Sequence, residues 1–199
     1  MIERRPARAT VEAALAALGP GDLVATDADN TLWAGDCGDD AMRWLKAARE
    51  PGLDVAAYLA REQVDYAGAC RESAEHLARL GLTPGLRAFL ATRLRLRGWL
   101  VQALQAAEGR GAAVVVVTAA PLDSAREALA HFGLPWPALG ITVRDGAVVE
   151  PAPVGPGKAL AWQAAGHAAP AVALGDSVHD EPLLALATLG FRLDPPTDE

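Results

Sequence analysis

The sequence predicts an α/β protein, a parallel sheet covered by helices on both faces. Three observations carry this. Residues 113–118 (Ala-Val-Val-Val-Val-Thr) and 171–175 are apolar runs without alternation, as in strands buried on both sides. Such runs alternate along the chain with segments whose apolar residues recur at helical spacing, the pattern of βαβ units. Polar residues with chemical potential follow the ends of three different strands: Asp27 and Asp29, Thr118, then Asp176 and Asp180. In parallel sheets ligands bind at the carboxyl ends of strands.

Each element follows in order. Residues 10–18 read as a helix, with Thr10 as N-cap and Gly19-Pro20-Gly21 as the stop. Residues 23–27 form the first strand. From Trp33 to about Arg97 no strand is expected. Apolar residues there recur at helical spacing, with breakers at Pro51-Gly52, Gly81 and Pro84-Gly85. This segment reads as a helical insertion, so residues 1–33 and 98–199 form a core and residues 34–97 an inserted unit. Helices follow over 98–109, 122–132, 157–165 and 181–188. Strands over 139–143 and 147–150 flank the turn signal Asp145-Gly146. A short last strand is expected over 191–193, and 195–199 is a polar tail.

The 199 residues suffice for one core plus an insertion, and 51% hydrophobic with 22% charged residues is ordinary for a globular protein. A net charge of −7 argues against a nucleic-acid partner. The densest cationic run, Arg93, Arg95 and Arg97, alternates with leucines and reads as a solvated or ion-paired helix face. Cys37 and Cys70 fit no metal or redox spacing and suit free thiols in a reducing cytosol. No N-terminal segment joins a basic start to an apolar stretch and a cleavage site, and no apolar run is long enough to span a bilayer. A cytoplasmic protein without membrane partners is therefore expected. His76, His131 and His167 read as ordinary helix residues.

The chain is organised around Asp27-Ala28-Asp29-Asn30-Thr31. Residues i and i+2 of an extended strand point to one side, so Asp27 and Asp29 would aim into one small space unless the backbone turns between them. Two adjoining carboxylates repel, and one must meet a cation or hold a proton. A hard ion such as Mg²⁺ suits oxygen ligands. An acidic loop of good turn formers is the plain alternative. Independent acidic loops, however, have no reason to gather on one sheet edge.

Four pieces, Asp27 to Thr31, Thr118, Lys158 and Gly175-Asp176-Ser177-Val178-His179-Asp180, together resemble the four motifs of the haloacid-dehalogenase-like (HAD) superfamily, in the family's order. The likeness runs from about residue 22 to 193. The helical insertion matches in position the cap of the phosphoserine-phosphatase-like branch. The resemblance implies a Rossmann-like core with an all-α cap after the first strand, and a Mg²⁺-dependent phosphatase. By its logic Asp27 is the nucleophile that forms an aspartyl-phosphate, and Asp29 protonates the leaving alcohol and then deprotonates water. Thr118 bonds a phosphoryl oxygen and Lys158 neutralises charge. Mg²⁺ is held by Asp27, the backbone carbonyl of Asp29, Asp176 and Asp180. This agrees with phosphoryl transfer as mainly positioning and charge neutralisation. Asp180 has an alternative as the N-cap of the following helix.

Thr31, Ala119 and Ser177 are further candidates for substrate contact. Asp36 falls where that branch carries an acidic residue meeting the substrate's amino group, which favours a cationic substrate. Ala119-Ala120 replace the branch's usual glycines, and Ser177 and His179 replace its glycine and asparagine, so phosphoserine itself is disfavoured. Trp33, Trp44, Tyr58, Tyr66 and Trp99 offer either an aromatic wall for an ammonium group or plain core, the commoner fate. Arg71 is a weaker candidate for a substrate carboxylate. The expected partner is a small phosphorylated metabolite, with the chain a monomer or homodimer. Rival readings are a phosphotransferase using the same intermediate, a dehalogenase, and a non-catalytic binding domain on the same fold.

Overall fold

The computed structural model describes residues 1–81 and 85–196. The first half contains β1 (Ile2–Arg4), α1 (Arg8–Ala16), β2 (Leu23–Thr26), β3 (Trp33–Ala34), α2 (Cys37–Ala48), α3 (Val55–Glu62), α4 (Tyr66–Leu80), α5 (Gly85–Arg93) and β4 (Arg95–Leu96). The second half contains α6 (Gly98–Gly109), β5 (Ala113–Pro121), α7 (Leu122–His131), β6 (Ala138–Ile141), β7 (Val143–Arg144), β8 (Ala147–Val148), α8 (Pro156–Ala164), β9 (Val172–Gly175), a 3₁₀ turn (Val178–Asp180), α9 (Glu181–Leu186) and β10 (Leu189–Arg192).

Six strands form one sheet in the order β1-β10-β9-β2-β5-β6, every pairing parallel. The unalternating runs explain how it is covered. Val24, Val114, Val116, Val172 and Leu174 enter the core shared with α1, α6 and α7. Their neighbours Ala25, Val115, Val117 and Ala173 face the opposite way, onto Trp162 of α8 and Leu183 and Leu184 of α9. Successive side chains serve opposite faces, so both must be apolar. Each large aliphatic chain buried this way contributes about 1.5–3 kcal/mol relative to exposure.

The central strands end in register. Thr26 pairs with Val116 on one side and Leu174 on the other, so the residues after β2 and β9 leave the sheet at one edge. The chain runs outward from β2 to β5 and β6, then returns to β9 and β10 on the other side. That reversal opens a crevice beside β2.

Several expectations are corrected. The first strand of the chain is β1, an edge strand of only three residues, two of them charged; the helical insertion follows β2. Helix α1 begins at Arg8, with Thr10 inside it; Ala7 precedes it without a side-chain cap. An Arg8–Glu12 pair at 2.8 Å braces its first turn. The insertion is entered and left through strands where none was expected: β3 and β4 pair antiparallel, Trp33 opposite Leu96 and Ala34 opposite Arg95. Arg95 therefore lies in a strand, Arg93 ends α5 against Asp40, and Arg97 follows β4; the three are not one helix face. The strand expected over 139–143 divides, β6 joining the main sheet and β7 pairing with β8. Their turn has positive φ at both Asp145 (52°) and Gly146 (79°), the conformation of a two-residue hairpin. His167 lies beyond the end of α8. The breaker at Pro84 and the tail beyond residue 196 lie outside the described residues. Both cysteines are free and buried. Among the described residues no helix is long and apolar enough to cross a membrane.

Candidate active site

The site grows from the end of β2. The Asp27 amide donates to the Leu174 carbonyl at 2.8 Å, carrying the ladder one residue past the strand. The chain then turns back, with Thr31 and Leu32 amides on the Ala28 carbonyl and Asn30 at φ 56°. That turn brings the Thr31 hydroxyl to Asp27 Oδ2, donating at 3.1 Å; Asp176 Oδ1 is 3.4 Å away. Lys158 comes from the first turn of α8, which Gly155 (φ 52°) and Pro156 initiate. Its side chain is 3% exposed, and Nζ donates to Asp27 Oδ1 at 2.5 Å and to Asp180 Oδ1.

Asp180 does not cap α9. Its side chain folds back, and Oδ2 accepts from the Asp176 amide (3.1 Å), the Ser177 amide (2.9 Å) and the Ser177 hydroxyl (2.9 Å). A Cβ at Gly175 would overlap Asp180, so the glycine makes this fold-back possible. Burial opposes the Asp180 charge, but Lys158 and these donors outweigh it and hold the carboxyl below its usual range. Lys158 is likewise buried against its charge, yet Asp27 and Asp180 raise its pKa. Asp27 is pushed up to about 8, by burial first, against Lys158 and with help from the Asp180 and Asp176 charges. Asp176 rises to about 6 by burial and the Asp180 charge.

Asp27, Asp176 and Asp180 each place a carboxylate oxygen within 4.8 Å of the others. Three hard oxygen donors, two of them made reluctant to ionise chiefly by burial, fit a divalent cation. The Asp29 carboxylate is outside this group, although it lines the same cavity as Asp27. The backbone turns between them. Asp29 Oδ1 instead accepts from Trp33 Nε1 (2.7 Å) and the Cys37 amide (2.8 Å), with Cys37 Sγ 3.4 Å from Oδ2. Burial and the Asp36 charge raise its pKa well above the usual range. A part for Asp29 in holding a cation would fall to its carbonyl.

Thr118 and Ala119 lie where β5 leaves its register with β6, between Val117 and Pro121. The Thr118 hydroxyl accepts from the Ala120 amide at 3.1 Å, so of the two alanine amides that one is engaged. Ser177 donates to Asp180 and accepts from the His179 amide, bracing the 3₁₀ turn. These residues line a cavity of about 190 Å³ together with Asp27, Asp29, Lys158 and Asp176.

The far wall comes from the insertion. Asp36 caps α2, its Oδ1 accepting from the Gly38 and Asp39 amides at 2.8 Å. Sequence reasoning missed its companions. Asp36, Asp39 and Glu62 bring carboxylate oxygens within 4.8 Å of one another. Tyr58 and Tyr66 also line the cavity, and Tyr66 stacks on His179 with ring centroids 4.2 Å apart. The Asp39-Asp40 doublet is visible in the sequence, but Glu62 ends another helix, and nothing in its surroundings marks it. Trp33 and Trp44 are core, and Arg71 pairs with Glu150.

Comparison with known proteins agrees with this fold. The family model of haloacid dehalogenase-like hydrolases matches residues 24–185. A HAD family hydrolase from Salmonella enterica serovar Typhi superposes with a TM-score of 0.58 at 20% identity, over 86% of this chain and 61% of that one. The chain thus spans about three fifths of that relative's length. A substrate-bound phosphoserine phosphatase gives a TM-score of 0.59 at 18% identity, covering 87% of each chain. A phospho-aspartyl intermediate analogue of phosphoserine phosphatase gives 0.56 at 19%, covering 88% of each. No curated protein sequence matches the chain. The family model covers most of the sequence, and the chain belongs to the haloacid dehalogenase-like hydrolase family.

Proposed function

We propose that this hydrolase is a Mg²⁺-dependent phosphatase acting on a small phosphate monoester through an aspartyl-phosphate at Asp27. The observation that carries the proposal is the contact of Lys158 with Asp27 inside a group of three carboxylates at the ends of β2 and β9. A nucleophilic carboxylate must approach an anionic phosphoryl group, and only a built-in positive field allows that. Lys158 supplies part of it. Asp27, Asp176, Asp180 and the carbonyl of Asp29 would hold Mg²⁺, which would supply the rest by neutralising phosphoryl charge.

In the first step an Asp27 carboxylate oxygen attacks phosphorus and the ester P–O bond breaks. The leaving oxygen takes the proton from Asp29, whose raised pKa suits a general acid. Asp29, now anionic, then accepts a proton from water as that water attacks phosphorus. The bond from phosphorus to Asp27 breaks and inorganic phosphate leaves. Thr31 orients Asp27, and the Thr118 hydroxyl faces the transferred group. Residues 34–97 act as a cap over a core of 1–33 and 98–199. The cavity of about 190 Å³ suits a substrate of few atoms. The acidic wall of Asp36, Asp39 and Glu62 suits a positively charged substituent on it.

A phosphate-release screen over amino-alcohol, amino-acid and sugar phosphates, with and without EDTA, tests the reading. Chelator-sensitive release that favours amine-bearing esters is expected. Release unaffected by EDTA, or retained by purified Asp27→Asn, contradicts the mechanism. Transfer to an excess of alcohol acceptor in competition with water would assign the chain to the phosphotransferases.

A further inference from the structure

A second cavity, of about 860 Å³, lies outside the site, beside the β3–β4 stem, between the N-terminal segment and the residues after β10. Its charge is opposite to that of the molecule. The chain carries a net −7, yet Arg8, Arg95 and Arg97 line this groove, and among the described residues its lining holds one carboxylate, Asp194, with Glu12 meeting Arg8 Nε at 2.8 Å from outside the lining. Asp194 is already met by Arg5 at 3.1 Å.

The guanidinium groups are held in place. Arg8 and Arg97 lie over the Trp99 indole, 5.4 and 5.9 Å from its centre. Arg97 also donates to the Asp194 carbonyl (2.7 Å) and to the Asn30 carbonyl (3.0 Å). Arg95 is exposed and gives one nitrogen to the Leu94 carbonyl at 3.0 Å. A guanidinium fork matches phosphate oxygens in pairs, and stacking on indole fixes its orientation beforehand. The apolar rim of Leu96, Pro195 and Pro196 offers contact for an organic body. The volume falls within the usual range of small-molecule sites, and the groove is far roomier than the phosphoryl cavity.

We propose that this groove is a second binding site, for an organic diphosphate of nucleotide size. Its phosphates would lie on Arg95 and Arg8 and its organic body along Trp99 and the prolines. The proposal is independent of the hydrolytic reading, because its readout is binding.

The test is calorimetric titration of the full chain with ADP, pyrophosphate and adenosine. ADP is expected to bind more tightly than pyrophosphate, adenosine to bind hardly at all, and added salt to weaken ADP binding. Arg95→Glu should weaken ADP at least about tenfold and leave the basal hydrolysis rate unchanged. Arg95→Gln, a milder change at an exposed position, should show the same direction if the charge-reversed variant misfolds. Asp27→Asn should bind ADP like the unmodified chain. No ADP binding at about 1 mM, equal affinity for pyrophosphate or adenosine, indifference to Arg95, or loss of binding in Asp27→Asn would each overturn the proposal.

Discussion

The two ends of the active-site cavity are built from the same residue types and differ in countercharge. At the sheet end, Asp27, Asp176 and Asp180 surround an ammonium group in contact with two of them. At the insertion end, Asp36, Asp39 and Glu62 gather equally closely. There the nearest cation, Arg43, is 3.5 Å from Asp39 and is mainly committed to Asp40 at 2.8 Å. Burial and mutual repulsion push Asp39 up to about 6 and Glu62 up to about 7. A carboxylate group with its own lysine can face an anion, whereas one whose nearby arginine is shared with Asp40 has room for further positive charge. The cavity is thus polarised along its length, with a lysine among the carboxylates at one end and mutually repelling carboxylates at the other.

The largest effect expected follows from the sheet end. Asp27→Asn keeps the shape and the Thr31 contact but removes the proposed nucleophile, and kcat should fall by roughly 10³-fold or more. Thermal stability should hold, since the change relieves repulsion among three closely spaced carboxylates. Steady-state phosphate release beside a melting curve reads both. Unchanged turnover would remove the distinction between the two ends. Next comes Lys158→Met. It leaves Asp27 and Asp180 buried without their partner, and breaking a buried pair costs about 3–5 kcal/mol. Chemical denaturation measures this, and adding Asp180→Asn to Lys158→Met should recover part of the loss. An additive double variant would mean that the lysine is not the countercharge of this group.

These contrasts bear on what could be read from the residues alone. The sheet end was legible because its parts follow strands. Unbroken valines locate β5, and an acidic pair after an apolar run locates the end of β2. Once the strands are parallel, their carboxyl ends must converge. The aim of Asp29 was legible only as a condition, because alternation holds only while the strand lasts, and β2 stops at Thr26. The insertion end was half legible. Asp36 stands near the first motif, but Glu62 reaches the cavity only through the packing of α3 against α2 and α4, which periodicity does not specify. The β1 and β3–β4 strands were invisible for another reason. Two or three residues carry no period, and their pairing is decided by partners far away in the chain.

A smaller effect sharpens the insertion end. Asp36→Asn preserves an acceptor for the α2 cap, and Glu62→Gln preserves size. Both remove charge. For an amine-bearing phosphate ester, either change should raise KM about tenfold, the worth of one screened charge pair at partly buried positions. For an uncharged ester of similar size KM should move less than about twofold. Equal losses on both esters would make this wall structural and leave selectivity unexplained.

The smallest effect joins metal, pH and stability. The raised pKa of Asp27 (about 8) and Asp176 (about 6), against ordinary values of 3.8, means that the folded protein binds protons which the unfolded chain has released. Their contribution to stability is present below the unfolded pKa and is lost as pH rises through the folded values. The metal-free protein should therefore melt lower at pH 8 than at pH 5.5. Asp180 has the opposite sign, because its lowered pKa makes its contribution vanish only in acid, below the ordinary range. Cation binding requires ionised carboxylates, so Mg²⁺ should raise the melting temperature more at pH 8 than at pH 5.5. In a chain of this size each 1 kcal/mol is worth about 2–4 °C, a difference that differential scanning fluorimetry resolves. In Asp27→Asn the pH dependence should flatten in part, since Asp27 no longer titrates. A slope retained in full in that variant would place the titration elsewhere, with Glu62 and Asp39 at the insertion end the next groups to examine.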